Sequence, residues 1–167
     1  MEAVLLAPGP SMSRELADSL CGGFVGAVSN CFELAPWADF LVAQDRRWWG
    51  AHPAAMEFQG RKFTGNRMPG VERVERSATN WNSGVLALQA AVQLGATRIC
   101  LYGFDMHGTH FFGPYTNGLS NTKDARRAVH LRQYADWMRR NRGIEVVNCT
   151  QGSALKCFPM EGALRAA

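Results

Sequence analysis

The chain has 167 residues, 47% of them hydrophobic and 19% charged, enough for one domain with a sizeable core. A net charge of +4 is too small to mark a polyanion-binding protein by itself. No apolar run approaches the roughly 18–20 residues of a membrane helix, which sets that class aside.

Residues 1–7 lack the basic region of a secretory leader and read as a first strand, so a cytoplasmic protein is expected. The strand is nearly all apolar, as suits a parallel strand covered on both faces. Pro8-Gly9-Pro10-Ser11 then turns into a helix over about 13–20, with Ser11 or Ser13 as N-cap and Glu15 in its first turn. A strand, a glycine turn and a helix in succession can present backbone N–H groups to a phosphate. Neither a Walker A loop nor the GxGxxG dinucleotide pattern is present. Residues 24–28 and 40–44 read as second and third strands, ending at Ser29-Asn30 and at Gln44-Asp45. Trp48-Trp49 opens a short helix whose indoles are expected to pack against the sheet. A polar, Gly/Pro-rich segment over 58–77 carries two candidate edge strands, 61–64 and 71–74.

Asn82-Ser83-Gly84 opens the next helix, with Val85, Leu88, Ala91 and Val92 on one face and Gly95 as its left-handed stop. Residues 98–102 form a short buried strand ended by Gly103, and Asp105, His107 and His110 follow in the loop beyond it. The loop continues to residue 119 with Phe111, Phe112, Tyr115 and Asn117, and loops of this length in compact domains usually carry function. Residues 124–142 read as an amphipathic helix with Ala128, Leu131, Ala135 and Met138 toward the core. Its arginines, Arg126, Arg127, Arg132, Arg139, Arg140 and Arg142, are expected on a solvated face, and His130 is expected to be structural. Residues 144–149 form the last strand. The fold expected is α/β, a three-layer Rossmann-like single domain with a mostly parallel sheet.

Ligands of such sheets bind beyond the carboxyl ends of the strands. That edge gathers Gly9, Pro10, Ser11, Asn30, Asp45, Asn82, Ser83 and Gly84 as candidate nucleotide-binding residues. Asp105, His107 and His110 are candidate catalytic groups: a histidine for acid–base or phosphate work, the aspartate to orient it or hold a ribose hydroxyl. Tyr115, Asn117 and Asn121 are candidate substrate contacts in the long loop, which would act as a lid. The five cysteines, Cys21, Cys31, Cys100, Cys149 and Cys157, show neither a CxxC pair nor metal spacing, and buried reduced thiols are expected. No metal site is expected, and Mg²⁺ enters only as the escort of a diphosphate donor. His52 is expected at the surface. Trp48-Trp49 and Phe111-Phe112 are the apolar pairs available to a homo-oligomer.

The order of these turns resembles that of a known family. Gly9-Pro10-Ser11 after the first strand, Ser29-Asn30 after the second, Asn82-Ser83-Gly84 opening an Ala-rich helix, the 101–105 strand end and Ser153-Ala154-Leu155 after the last strand recur together in the bacterial sialyltransferases of the Campylobacter type. The chain is similar, more closely in length, to short phage and prophage proteins of unassigned function. It shares the Gly-Pro-Ser turn with the archaeal-type 6-hydroxymethylpterin diphosphokinases. The resemblance implies a nucleotide held by Gly9, Ser11, Asn30, Ser83 and Gly84, and a phage-encoded glycosyltransferase-like enzyme using a CMP-sugar-like donor. Its alternatives are a Mg²⁺-dependent diphosphotransferase and a non-catalytic nucleotide-binding protein. A nucleotide or nucleotide-sugar is thus the expected partner, and nucleic acid is not. This chain has Pro8 where the family has Asn, Asn80-Trp81-Asn82 where it has an arginine, and His107 where a tyrosine holds the leaving phosphate.

Overall fold

The computed structural model describes residues 1–161. Seven parallel strands form one sheet: β1 (Glu2–Leu6), β2 (Val25–Val28), β3 (Phe40–Val42), β4 (Arg61–Thr64), β5 (Glu72–Arg73), β6 (Arg98–Tyr102) and β7 (Glu145–Asn148), in the order β5-β4-β3-β2-β1-β6-β7. The helices are α1 (Arg14–Ser19), α2 (Cys31–Leu34), α3 (Arg46–Ala51), α4 (Ser83–Gln93) and α5 (Asp124–Arg140), with a 3₁₀ turn at Pro53–Glu57. This is an α/β, Rossmann-like architecture. The single turn α2 and the 3₁₀ turn are additions to the sequence reading, and every strand pair is parallel rather than most of them.

Alternation of side chains along the strands divides the interior into two layers. Ala3, Leu5, Phe40, Val42, Phe63, Ile99 and Leu101 face α4 and α5, meeting Val85, Leu88, Ala91, Tyr134 and Trp137. Leu6, Val25, Ala27, Leu41 and Ala43 face α1, α2 and α3, meeting Ala17, Cys31, Leu34, Trp48 and Trp49. Gly26 leaves room for the Phe40 ring, which stands where a Cβ would come within 2.3 Å of it. Gly95, at φ +98°, ends α4 in the left-handed conformation, and Ala96 N–H returns to the Ala91 carbonyl.

Three readings of the interior change. On α5 the buried residues are Tyr134 and Trp137; Leu131 and Met138 pack partly against the same core, whereas Ala128 is exposed. The aromatics override the aliphatic spacing because they bury more surface at the α4 contact. Trp48 and Trp49 are core residues, which removes them as interface candidates, while Phe112 remains 36% exposed. Cys31 and Cys100 are buried and Cys149 and Cys157 half-buried, but Cys21 is exposed, and all five are free thiols. No helix among the described residues is long and apolar enough to cross a membrane.

Trp137 is 1% exposed and its Nε1 donates to Gln89 Oε1 of α4 at 3.0 Å. Trp137→Ala is expected to cost about 3–5 kcal/mol, the usual range for a buried aromatic. Urea unfolding checks this, and a loss below about 1 kcal/mol would mean that α5 is not docked on α4.

Candidate functional site

The chain steps outward from β1 through β2, β3 and β4 to β5, then returns through α4 to β6 on the other side of β1. The connections leaving β1 and β6 therefore diverge, and a crevice opens at their carboxyl ends, where open α/β sheets bind ligands. A cavity of about 260 Å³ occupies this position. Its walls come from the Pro8-Gly9 turn, Ser29, the 82–84 start of α4, the 103–110 loop, Tyr115 and Asn121 of the long loop, and one face of α5.

The floor is a close meeting of two turns. Gly9 N–H donates to the Gly103 carbonyl at 3.0 Å, and the Ser11 hydroxyl donates to Asp105 Oδ2 at 2.8 Å. A Cβ on Gly9 would stand 2.0 Å from Asp105 Oδ2 and 2.3 Å from the Gly103 carbonyl, so glycine is required here. Asp105 is 3% exposed and braces the β1 turn by accepting from Ser11, while still lining the cavity. The segment after β7 holds the loop from behind. Ala154 N–H donates to the Asp105 carbonyl at 2.8 Å, the Ser153 hydroxyl to the Phe104 carbonyl at 2.5 Å, and Phe104 N–H to Thr150 Oγ1 at 3.0 Å.

One wall is the start of α4. Asn82 is its N-cap: Oδ1 accepts from Gly84 N–H at 2.9 Å and Val85 N–H at 3.1 Å, and Nδ2 donates to Gln133 Oε1 on α5 at 3.0 Å. Ser83 Oγ accepts from Gln44 N–H at 3.0 Å. The dipole of this 11-residue helix points into the cavity. Gly84 admits the Tyr134 hydroxyl, which stands where a Cβ would come within 1.9 Å of it.

The opposite wall was not read from the sequence. Arg127, His130 and Tyr134, spaced three and four residues apart, lie on one face of α5 and all line the cavity. Arg127 is half-buried, bonded to Asp124 Oδ1 at 3.0 Å and to the Gly108 carbonyl at 2.9 Å, so it does not belong with the solvated arginines. His130 makes no hydrogen bond among the described residues; burial first, then the charges of Arg126 and Arg127, push its pKa down. Tyr134 is 2% exposed, its hydroxyl also has no partner among the described residues, and burial raises its pKa. The spacing was legible, but it was masked by an aliphatic pattern that assigned the core to other positions.

The long loop supplies the third wall. His110 is half-buried, its ring stacked on Phe112 at 4.7 Å and beside Tyr115 at 4.6 Å. Burial lowers its pKa, partly offset by the Nδ1 contact to the Gly113 carbonyl at 3.2 Å. His107 is exposed at the mouth, with Nε2 at 3.2 Å from the Gly152 carbonyl. Asn121 closes the loop on itself, accepting from Tyr115 N–H at 2.7 Å and donating to its carbonyl at 3.2 Å.

The remaining expected residues lie off the cavity. Pro10 and Ser11 are exposed behind the turn, and Asn117 is exposed on the loop. Asp45 caps α3, accepting from Arg47 N–H at 2.8 Å. Asn30 is buried with its amide taken up by Trp48, His52, Glu33 and Tyr115. His52 is half-buried in that network rather than at the surface. Among the described residues no cluster of three or more His, Cys, Asp or Glu could hold a metal ion. Comparison of the chain with protein-family models, curated proteins and solved structures returns no match.

The Gly84–Tyr134 contact makes a paired prediction. Gly84→Ala is expected to destabilise by about 1–3 kcal/mol, the cost of overpacking. Tyr134→Phe, which removes a hydroxyl without a protein partner, should stay within about 0.5 kcal/mol of wild type. Thermal and urea unfolding of the two variants checks both.

Proposed function

We propose that the cavity binds a nucleotide-activated donor and that the protein is a glycosyltransferase-like enzyme of the CMP-sugar-using kind. The observation that carries the reading is the Tyr134 hydroxyl, without a partner among the described residues, buried against the start of α4 and facing the cavity beside Arg127 and His130. A donor hydroxyl, a helix N-terminus and a guanidinium converging on one space suit an oxyanion, and a phosphate is the anion that a group-transfer donor carries. The volume, about 260 Å³, lies below the roughly 300–1,000 Å³ usual for small-molecule sites.

In this reading the Gly9 turn and the Asn82-Ser83-Gly84 helix start hold the nucleotide. Arg127 and the Tyr134 hydroxyl stabilise charge on the departing phosphate. The acceptor oxygen attacks the anomeric carbon, the carbon–oxygen bond to phosphate breaks, and the acceptor proton passes to a histidine. His107, His110 and His130 all line the cavity. His130 suits the role of base best, because neither ring nitrogen is engaged among the described residues and burial, then Arg126 and Arg127, favour its neutral form. His107 and His110 each spend one nitrogen on a backbone carbonyl and flank the acceptor side.

The test is a thermal-shift series with CMP, CDP, UDP, GDP and ATP, each with and without Mg²⁺. A ligand that binds only the folded state raises the melting temperature by mass action. CMP should do so without metal. Arg127→Ala and Tyr134→Phe should each weaken that binding about tenfold or more. His130→Ala should retain binding and lose turnover. A Mg²⁺-dependent ATP shift would instead favour phosphate transfer. No shift with any nucleotide overturns the reading.

A further inference from the structure

Asn30 ties three separate parts of the carboxyl edge together. Trp48 Nε1 donates to its Oδ1 at 2.8 Å, and the Tyr115 hydroxyl donates to the same oxygen at 3.0 Å. Its Nδ2 donates to Glu33 Oε1 at 2.8 Å and faces His52 Nε2 at 3.1 Å. The partners allow one orientation only, since an indole N–H can only donate and a carboxylate can only accept. The same logic places the proton on His52. Its Nδ1 lies 2.8 Å from the Trp48 carbonyl, which can only accept, so Nδ1 carries the hydrogen and Nε2 accepts from Asn30. The ring is therefore neutral in this arrangement, stacked on the Trp48 indole at 4.5 Å.

We infer that His52 and Asn30 form a proton-operated latch on the Tyr115 wall of the cavity. Protonation adds an N–H at Nε2, aimed at the Asn30 amide nitrogen, so two donors face each other. Asn30 must turn over or withdraw, and either movement takes its Oδ1 away from Trp48 and Tyr115. The other hydrogen bonds of Tyr115 among the described residues are with Asn121 of its own loop, so the loop loses its side-chain hydrogen bond to this node and is left with the apolar packing of Phe111, Tyr115 and Leu119. The latch is made while the His52 ring is neutral and lost when it takes up a proton.

Other charged and titratable groups surround the node. Glu33 of α2 is the anion nearest the node and attracts a His52 imidazolium away from Asn30. Cys31 is held neutral by burial, and burial pushes the Tyr115 phenol up to about 12. Asp45 at the start of α3 acts on the Tyr115 phenol, and Arg14 of α1 binds the Glu33 and Leu34 carbonyls from outside. His110 lies against Tyr115 and is the other histidine of this region, so the experiment must separate the two.

Backbone hydrogen exchange of residues 108–121 in the ligand-free protein, corrected for intrinsic rates and compared at pH 8 and pH 5, reads the latch directly. In wild type, protection should fall about tenfold at the lower pH, the population change expected when a neutral hydrogen bond is lost. His52→Gln can satisfy both ring contacts without taking a proton and should keep its protection at both pH values. Tyr115→Phe should show the low protection at both. Equal protection of wild type at the two pH values overturns the latch. A fall that persists in His52→Gln belongs to His110 and overturns it equally. Should His52→Gln not fold, Tyr115→Phe decides: a pH dependence that survives loss of the hydroxyl is not carried by Asn30.

Discussion

Everything at the carboxyl edge depends on two backbones meeting with no side chain between them. Gly9 and Gly103 lie at the ends of β1 and β6, the pair of strands where the direction of the chain reverses. A Cβ on Gly103 would stand 2.1 Å from the Ala7 carbonyl, and one on Gly9 would strike Asp105. Because both are absent, Asp105 can reach Ser11 and its own loop can lie flat against the β1 turn. The crevice is then roofed by α5 and the long loop. Widening this contact would displace Asp105, the 103–110 loop and the Gly108 carbonyl that Arg127 holds.

The contact is supported from the far side by groups with no direct part in the cavity. Asn148 is fully buried, accepting from Thr150 N–H at 3.0 Å and donating to the Leu155 carbonyl at 3.0 Å. Thr150 and Ser153 then take up the ends of Phe104. Buried polar groups of this kind are costly unless every bond is made, and among the described residues every side-chain polar atom wholly shut off from solvent has a partner, the Tyr134 hydroxyl opening instead on the cavity. The loop that carries Asp105 is thereby held at several backbone points while its outer part, from His107 onward, stays exposed.

Local chemistry was legible and partnership was not. The strand at 98–102, the Asn82 start and Gly95 stop of α4 and the paired short strands at the sheet edge follow from hydrophobic runs and turn residues, which act over a few positions. Ser13 caps α1 by accepting from Leu16 N–H at 3.1 Å, as its position suggested. Asn30 shows the limit. The residue lies where a ligand contact is expected, but its four partners come from positions 3, 18, 22 and 85 residues away. No local pattern encodes that. The α5 wall is the converse: Arg127, His130 and Tyr134 were in plain view at helical spacing, and only the docking of Trp137 on Gln89 shows which way they turn.

The outermost strand has a consequence for how copies of this chain can meet. Strand β5 is two residues long, both exposed, and Glu72 is clasped by Arg61 at 2.8 and 2.6 Å. At the other border, Asn148 at the end of β7 is already bridged by the chain's own Met160. Strand addition needs a long row of free backbone groups flanked by uncharged side chains. One margin here is too short and too ionic, and the end of the other is occupied. Both margins therefore work against edge-to-edge pairing of copies, the β5 side through shortness and charge and the β7 side through the bridge at its end.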